Sequence, residues 1–418
     1  MGADGGAAGA GSLTDLSGAR KEHCRCLQEF PPLLRNPPYH DYRSRTKESG
    51  LKVPVARRNL FSDLVRLAIS IGGVAVAILL IIVLLGVYSG SVKQMSAYVD
   101  NVDADLWVAQ EGSPDMIHSF SVVPEAMVDQ LRGFDGVAQV YPLTSRTTLV
   151  DIKGQQNSLI LVGYEPGGAG GPWKMVEGRS DPGPGEIVCD RVTMETNDLN
   201  LGDTFEIDDK PYRIVGVSEE TTIMVAQYAF VDIDEARQAL GPNRVNFILI
   251  KTAPEADREQ VRRQIAAAYP QQTVYTREEF SENNAAVIRV GILPILSVVV
   301  VIAFIIGVAI VGLVVYSATL EKYSEYGVLK AVGASSMALY KIVLEQALIS
   351  SLLGYLVGAL ASLWVARIIS RIVVQISVAF SWQQFLSAFV AAIAMSVIAS
   401  YVPAHKINNI DPVIVFKG

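Results

Sequence analysis

The sequence predicts an α-helical membrane protein with four transmembrane helices and one α+β extracytoplasmic domain. Three observations predict this class: four long apolar stretches without charge, a polar block between the first two stretches, and a low content of charged residues. Only 18% of the 418 residues are charged and 50% are hydrophobic, whereas about a quarter of the residues of a soluble protein are charged. A cytosolic enzyme is therefore disfavoured.

Each predicted span is an uncharged apolar stretch long enough to cross a bilayer, which takes about 20 residues. At a few tenths of a kcal/mol for each Leu, Ile, Val or Phe, such stretches insert unaided. The spans are predicted at residues 67–90, 289–320, 342–366 and 385–402.

Charge near the ends of the spans predicts the orientation. Lys and Arg outnumber Asp and Glu before the first span, where Arg57 and Arg58 stand, whereas residues 91–288 are strongly acidic. Because Lys and Arg accumulate on the cytoplasmic side, we expect both termini inside the cell (inner) membrane and the large domain outside. Arg367 and Arg371 then lie at the outer end of the third span, where long side chains reach the bilayer surface.

The remaining segments outside the spans complete the predicted order. A Gly/Ala-rich and Pro-rich composition predicts a disordered cytoplasmic tail over residues 1–54. Residues 55–66 form an amphipathic pattern that predicts a helix on the inner membrane surface. We expect an outer loop at 367–384 and a cytoplasmic C-terminal tail at 403–418.

The block at residues 91–288 predicts a folded α+β domain. Strand, helix and strand patterns occur twice, near its two ends, which is the split βαβ order of a ferredoxin-like fold. A shorter β-rich stretch at about 173–232 interrupts that order. We therefore expect a ferredoxin-like lobe with a small β-rich inserted lobe.

The sequence contains no motif that indicates catalysis. The glycine-rich stretch from Gly167 to Lys174 has Trp173 where a phosphate-binding loop needs glycine. With 4 His and 3 Cys a multi-ligand transition-metal site is not expected, and three cysteines cannot form a disulfide framework. Asp100, Asp103 and Asp105 lack the glycine and distal glutamate of a calcium loop. We expect no catalytic, cofactor or metal residues in this chain, and its net charge of −7 argues against a nucleic-acid partner.

The loop at residues 321–341, between the second and third spans, is the most informative polar segment. It is too polar to cross the bilayer and is held by short connections, so a helix in it can move only together with the spans. In the third span, Gly354 and Gly358 form a small-xxx-small pair that lets helices approach closely. Packing within the chain and contact with a second subunit are both compatible with this pair.

Four motifs resemble a known family. Residues 325–335, EYGVLKAVGAS, resemble the signature that follows the second span of MacB/FtsX-like ABC transporter permeases, and residues 403–413, PAHKINNIDPV, resemble the motif after their last span. The order of VEGR, GEIV, LGD and YRIVGV between residues 176 and 217 is similar to that of their extracytoplasmic domain. Residues 105–108, DLWV, resemble the start of that domain in the DevC-like branch.

This resemblance implies a function and partners. It implies the permease subunit of a type VII ABC transporter without a fused ATPase, working as a dimer with a second copy or a paralogue in the lipid bilayer. ATP and Mg would be bound by a separate cytoplasmic ABC ATPase, and a membrane-fusion protein is a further expected partner. Motion driven by ATP would then reach the outer domain, for export or extraction of a substrate from the outer membrane face.

The resemblance also implies which residues contact the ATPase. They lie on one cytoplasmic coupling helix: Glu321, Tyr323, Glu325, Tyr326, Gly327, Lys330, Gly333, Ala334 and Ser335. The C-terminal motif contributes Pro403, Asp411 and Pro412.

Two alternative functions stay open for the same architecture. One is a signalling scaffold, similar to FtsX, whose outer domain activates a cell-wall hydrolase. The other is a lipoprotein-releasing permease of the LolC/LolE kind. The sequence does not distinguish them.

Overall fold

The computed structural model describes residues 63–237, 243–373 and 375–408. The expected disordered tail at 1–54, the interfacial helix up to residue 62 and the last ten residues of the C-terminal tail lie outside the described residues. The helices of the described residues are α1 Leu64–Asn101, α2 Met127–Leu131, α3 Arg191–Thr196, α4 Ile233–Arg237, α5 Arg258–Ala268, α6 Arg277–Gly291, α7 Leu293–Glu321, α8 Tyr323–Ala331, α9 Ser336–Ile372 and α10 Trp382–Asn408.

The strands alternate with the short helices between α1 and α6. They are β1 Leu106–Gln110, β2 Val123–Pro124, β3 Val137–Ile152, β4 Gln155–Tyr164, β5 Met175–Gly178, β6 Glu186–Asp190, β7 Thr204–Ile207, β8 Lys210–Ser218, β9 Thr222–Ile223, β10 Ala226–Asp232, β11 Arg244–Val245, β12 Phe247–Thr252 and β13 Gln272–Thr276.

Among the described residues, α1, α7, α9 and α10 are long and apolar enough to cross a membrane. They pack into a bundle whose core is made of aliphatic side chains, including Ile78, Val311 and Val343. Apolar residues also cover the outside of the bundle, where Val298 and Leu360 are more than half exposed. A helix that is apolar on all sides is typical of a membrane span.

Two of the long helices differ from the predicted spans in their bounds. Helix α1 continues without a break past residue 90 to Asn101. The predicted span at 289–320 is divided, because α6 ends at Gly291 and α7 begins at Leu293 with Pro294 in its first turn. Proline cannot donate a backbone hydrogen bond, so it suits the start of a new helix.

The α+β domain contains the predicted ferredoxin-like unit. Strands β13, β1, β12 and β3 lie side by side in that order and are all antiparallel, with α2 and α5 as the two crossing helices. The inserted part continues the same sheet through β4, β10, β6, β8 and β5. The two lobes therefore share one continuous sheet.

Strand β3 joins the two lobes. Residues 137–143 of β3 pair with β12 of the ferredoxin-like lobe, and residues 143–152 pair with β4 of the insert. The insert consequently begins at Gln155, earlier than the predicted 173. A strand of 16 residues is much longer than the usual five or six, and the sequence pattern alone did not show that it serves both lobes.

The sheet of the ferredoxin-like lobe is covered on both faces. Along β1, Leu106 and Val108 face α2 and α5, whereas Trp107 and Ala109 face the opposite side, as the two-residue period of a strand requires. That opposite side is covered by the outer part of α1 and by α6, through residues such as Tyr98 and Phe280. The helices that lead to the membrane are thus one layer of the domain.

Tyr98 is the main contact between α1 and the sheet. Its side chain is fully buried, and its hydroxyl donates a hydrogen bond of 2.7 Å to the carbonyl oxygen of Gly170. Its ring stacks on that of Tyr228, with 5.2 Å between centroids, and meets the rings of Trp107 and Trp173 edge to face. Aromatic pairs of this geometry contribute about 0.5–1.5 kcal/mol each beyond their buried area.

The three aspartates near the start of the domain hold its elements together. Asp100 on α1 accepts a hydrogen bond of 2.5 Å from the Ser281 hydroxyl on α6. Asp105 accepts from the backbone and hydroxyl of Thr252, each at 2.9 Å, and Asp103 pairs with Lys251. Each carboxylate has its own protein partner, so the three serve the junction between α1 and the sheet.

Tyr98 offers a direct test of this junction. We expect Tyr98→Ala to lower the free energy of unfolding by about 3–5 kcal/mol, because it empties a closed aromatic cluster. Tyr98→Phe should cost about 1–3 kcal/mol, because only the hydrogen bond to Gly170 is lost. The measurement is denaturation of the purified full chain followed by tryptophan fluorescence, with Trp364 and Trp382 replaced by Phe so that only Trp107 and Trp173 report. A Tyr98→Ala protein as stable as the parent would show that α1 is not anchored here.

Candidate functional site

The segment expected to act as the coupling helix lies at the end of the bundle opposite the α+β domain, called here the distal end. Helix α8 connects α7 to α9, with only Lys322 before it and residues 332–335 after it. The predicted helix over 321–341 is therefore three pieces: the end of α7, the short α8, and the first turn of α9.

The turn after α8 explains part of the sequence signature. Gly333 has a φ of +103°, and its N–H donates to the Lys330 carbonyl at 3.1 Å, while the Ala334 N–H donates to the Leu329 carbonyl at 2.9 Å. This pair of bonds is the Schellman motif, which ends a helix on a glycine. The side chain of Ser335 then accepts from the Ala338 N–H at 3.2 Å and caps α9.

One face of α8 is turned into the bundle. Tyr326 is only 1% exposed and belongs to the same aliphatic core as Val311 and Leu339. Gly327 beside it is buried, and Tyr323 and Ala334 pack against the same core. The side chain of Tyr326 thus fixes α8 to the bundle, and its expected contact with a partner stays a prediction.

The opposite face of α8 is exposed and mostly apolar. Val328 and Leu329 come three and four residues after Glu325, and Val332 comes four and three residues after them, so the four side chains lie on one side of the helix. Val332 is 84% exposed and Val328 is 46% exposed. These four residues, called here the outer face of α8, form a small apolar surface with an acidic edge.

Two ion pairs connect the elements around α8. Glu321 at the end of α7 pairs with Arg66 at the start of α1, with 2.5 Å between the charged atoms. Glu325 lies 3.3 Å from Lys322. Exposed pairs of this kind contribute about 0–1 kcal/mol. The Arg66–Glu321 pair matters because of its position, since it joins the distal ends of the two spans that flank the α+β domain.

The two glycines of the third span pack within the chain. A Cβ added at Gly354 would lie 2.5 Å from the Cβ of Val74, and one at Gly358 would lie 2.6 Å from the carbonyl oxygen of Ala75. Both neighbours are on α1, so these glycines bring α9 close to α1. Of the two interpretations left open by the sequence, packing within the chain is the one that this contact supports.

A longer stripe surrounds these glycines. Every fourth residue of α9 from Gln346 to Ser362 is buried and polar or small: Gln346, Ser350, Gly354, Gly358 and Ser362. The spacing places all five on one face, and helix packing in membranes favours such residues. The four-residue period was visible in the sequence, although only the two glycines were identified there.

The C-terminal motif is only partly described. Pro403 lies inside α10 and is buried, whereas Asp411 and Pro412 lie outside the described residues. Within the described ranges no group of three or more His, Cys, Asp or Glu side chains is arranged to hold a metal ion.

Two protein families match the chain in the order of its parts. The MacB-like periplasmic core domain matches residues 67–268, and the FtsX-like permease C-terminal domain matches residues 297–412. Together with the four apolar helices, these matches define a multi-pass membrane protein with a periplasmic domain.

Several ABC transporter permeases are similar to this chain over most of its length. The chain is 26% identical over 356 residues to an uncharacterized ABC transporter permease of Mycobacterium tuberculosis, covering 84% of this chain and 96% of the relative. It is 26% identical over 360 residues to one of Mycobacterium bovis, with the same two shares. The chain belongs to the MacB/FtsX-like ABC transporter permeases.

Similar solved structures include two outer domains. The periplasmic region of MacB from Actinobacillus actinomycetemcomitans matches with a TM-score of 0.35 at 13% identity, over 44% of this chain and 94% of that one. The extracellular domain of the noncanonic ABC-type transporter YknZ from Gram-positive bacteria matches with a TM-score of 0.32 at 15% identity, over 41% of this chain and 99% of that one.

The turn after α8 yields a prediction with a matched control. Gly333 and Gly72 both have open space where a Cβ would be added, but only Gly333 has a positive φ. Gly333→Ala should therefore cost about 1–2 kcal/mol and speed amide hydrogen exchange between residues 325 and 340. Gly72→Ala, inside α1, should leave that exchange unchanged. Equal exchange in the two variants, measured by mass spectrometry, would contradict the role given to Gly333.

Proposed function

We propose that this permease transmits motion from a separate cytoplasmic ATPase to its α+β domain. The observation that carries the proposal is the continuity of α1, which runs from the distal end of the bundle into the aromatic core of the domain. A continuous helix of this length resists bending much more than a loop does. Displacement of its distal end would consequently move the sheet.

The outer face of α8 is the proposed contact for the ATPase. It offers exposed apolar side chains and Glu325 at the edge of a helix that the buried Tyr326 fixes to the bundle. Interfaces are typically apolar at the centre with a polar rim. ATP and Mg would be held by the partner, and this chain would bind neither.

The Arg66–Glu321 pair supports coupled movement of α1 and α7. Because α8 follows α7 after a single residue and packs on the bundle core, a push on α8 would reach α7 first. The ion pair and the packing of the bundle would then carry it to α1. We infer that the substrate is acted on outside the membrane and is not conducted between the spans.

The same proposal includes the orientation and the assembly. The acidic α+β domain would lie outside the cell membrane and the distal end inside, in agreement with the positive charge at residues 1–62. The exposed apolar residues of α7, such as Ile295 and Val301, would face lipid or a second permease. A membrane-fusion protein would be a partner of the outer domain.

A charge on the outer face of α8 tests the proposed ATPase contact. We expect Val332→Asp to weaken binding of the cognate ATPase at least tenfold, which corresponds to about 1.4 kcal/mol, because a carboxylate would replace an apolar contact. Stimulated ATP hydrolysis should fall with it. Both are measured on the purified permease reconstituted in nanodiscs.

Val225→Asp is the matched control, since Val225 is 59% exposed but lies between β9 and β10 of the α+β domain. This variant should bind and stimulate the ATPase as the parent does. Parental binding by Val332→Asp would refute the contact, and loss of binding in both variants would show a general effect of the added charge.

A further inference from the structure

A cavity of about 630 Å³ lies where the α+β domain meets the bundle. It is lined by Gly90, Lys93 and Gln94 of α1, and by residues of α3 and of the turn after β8. Its floor includes Ser377, from the segment that joins α9 to α10. We name this space the junction cavity. Its volume is within the range of about 300–1,000 Å³ that is typical of ligand sites.

The junction cavity lies beside the end of the apolar part of α1. Lys93 is the first charged residue of α1 after Arg66, so it marks the end of the apolar part of that helix. At Gly90 an added Cβ would lie 1.9 Å from the Ser377 carbonyl oxygen, which shows that the floor segment is pressed against α1 at this level. A molecule in the cavity could therefore keep its acyl chains in the bilayer.

Most charges that line the cavity are already paired. Asp190 accepts hydrogen bonds from the backbone N–H groups of Val192 and Thr221, at 2.8 and 3.0 Å, and from the hydroxyls of Thr221 and Thr222. Both carboxylate oxygens of Asp190 therefore already accept hydrogen bonds within the protein.

The carboxylates after β8 are paired as well. Glu219 lies 2.6 Å from Arg191 and 2.9 Å from Lys174, and Glu220 also pairs with Lys174. The hydrogen bond from Lys174 lowers the pKa of Glu219. The negative charges of Glu219 and Glu220 are therefore balanced by the positive charges of Arg191 and Lys174.

Three polar groups in the cavity have no partner among the described residues. The ammonium of Lys93 and the carboxylate of Glu195 both line the cavity, and neither forms an ion pair with a described residue. The side-chain oxygen of Gln94 is buried and accepts no hydrogen bond, although its amide nitrogen donates to the Gln375 carbonyl. The lining of the cavity thus includes one unpaired cation, one unpaired anion and a glutamine whose buried oxygen lacks a hydrogen bond.

We propose that the junction cavity binds the headgroup of a zwitterionic aminophospholipid, of the phosphatidylethanolamine class. Its phosphate pairs with Lys93, and its primary ammonium donates hydrogen bonds to Glu195 and to the free oxygen of Gln94. A choline headgroup cannot donate these bonds, and an anionic glycerol headgroup offers no cation to Glu195. A bound lipid would connect the inserted lobe to the membrane surface, and this binding does not depend on an ATPase.

Native mass spectrometry of the delipidated full chain tests the site. The probes are phosphatidylethanolamine, phosphatidylcholine and phosphatidylglycerol with identical acyl chains, added one at a time to the protein in detergent. We expect the ethanolamine lipid to be retained several-fold more than the other two. Lys93→Gln and Glu195→Gln should each remove that preference, because each deletes one half of the charge pair.

Lys341→Gln and Glu255→Gln are the matched controls, since they make the same changes at exposed residues away from the cavity. Both should keep the parental preference, and the thermal stability of all four variants should match that of the parent. Equal retention of the three lipids by the parent would overturn the proposal. An undiminished preference in Lys93→Gln and Glu195→Gln would overturn it too.

Discussion

The structure depends on one constraint, which is that a single helix belongs to two hydrophobic cores. Helix α1 contributes Ile78 and Ile82 to the core of the bundle, and Tyr98 and Val99 to the core of the α+β domain. Neither core can shift without displacing this helix, because both are closely packed and the helix is unbroken. The close approach of α9 at Gly354 and Gly358 adds to its restraint.

The two ends of this helix differ in how firmly they are held. At the α+β domain, buried aromatic rings and the aspartate contacts fix α1 and α6 to the sheet. At the distal end, α1 is joined to α7 by the exposed Arg66–Glu321 pair, which is a weak contact. A permease that responds to a partner at the distal end would benefit from this arrangement, since the input end can adjust while the output end stays rigid.

The sequence predicted the four spans, the ferredoxin-like unit and the position of the polar segment after the second span, because these follow from apolar length and from strand and helix periods. It could not predict that β3 serves both lobes, since strand pairing depends on contacts between distant residues. It also could not show which way α8 faces. Tyr326 was expected at the partner surface but is buried, whereas Val332, which was not singled out, is the most exposed residue of the outer face of α8.

Rigid connection of α1 to the domain is the central claim, and a distance measurement between spin labels tests it most directly. Labels are placed at Val76→Cys, on the exposed side of α1, and at Gln260→Cys, on α5. Cys24 and Cys26 are replaced by Ser, while Cys189 is fully buried and stays. The account predicts a single narrow distance distribution that broadens in Tyr98→Ala. A broad or multiple distribution in the parent would contradict it.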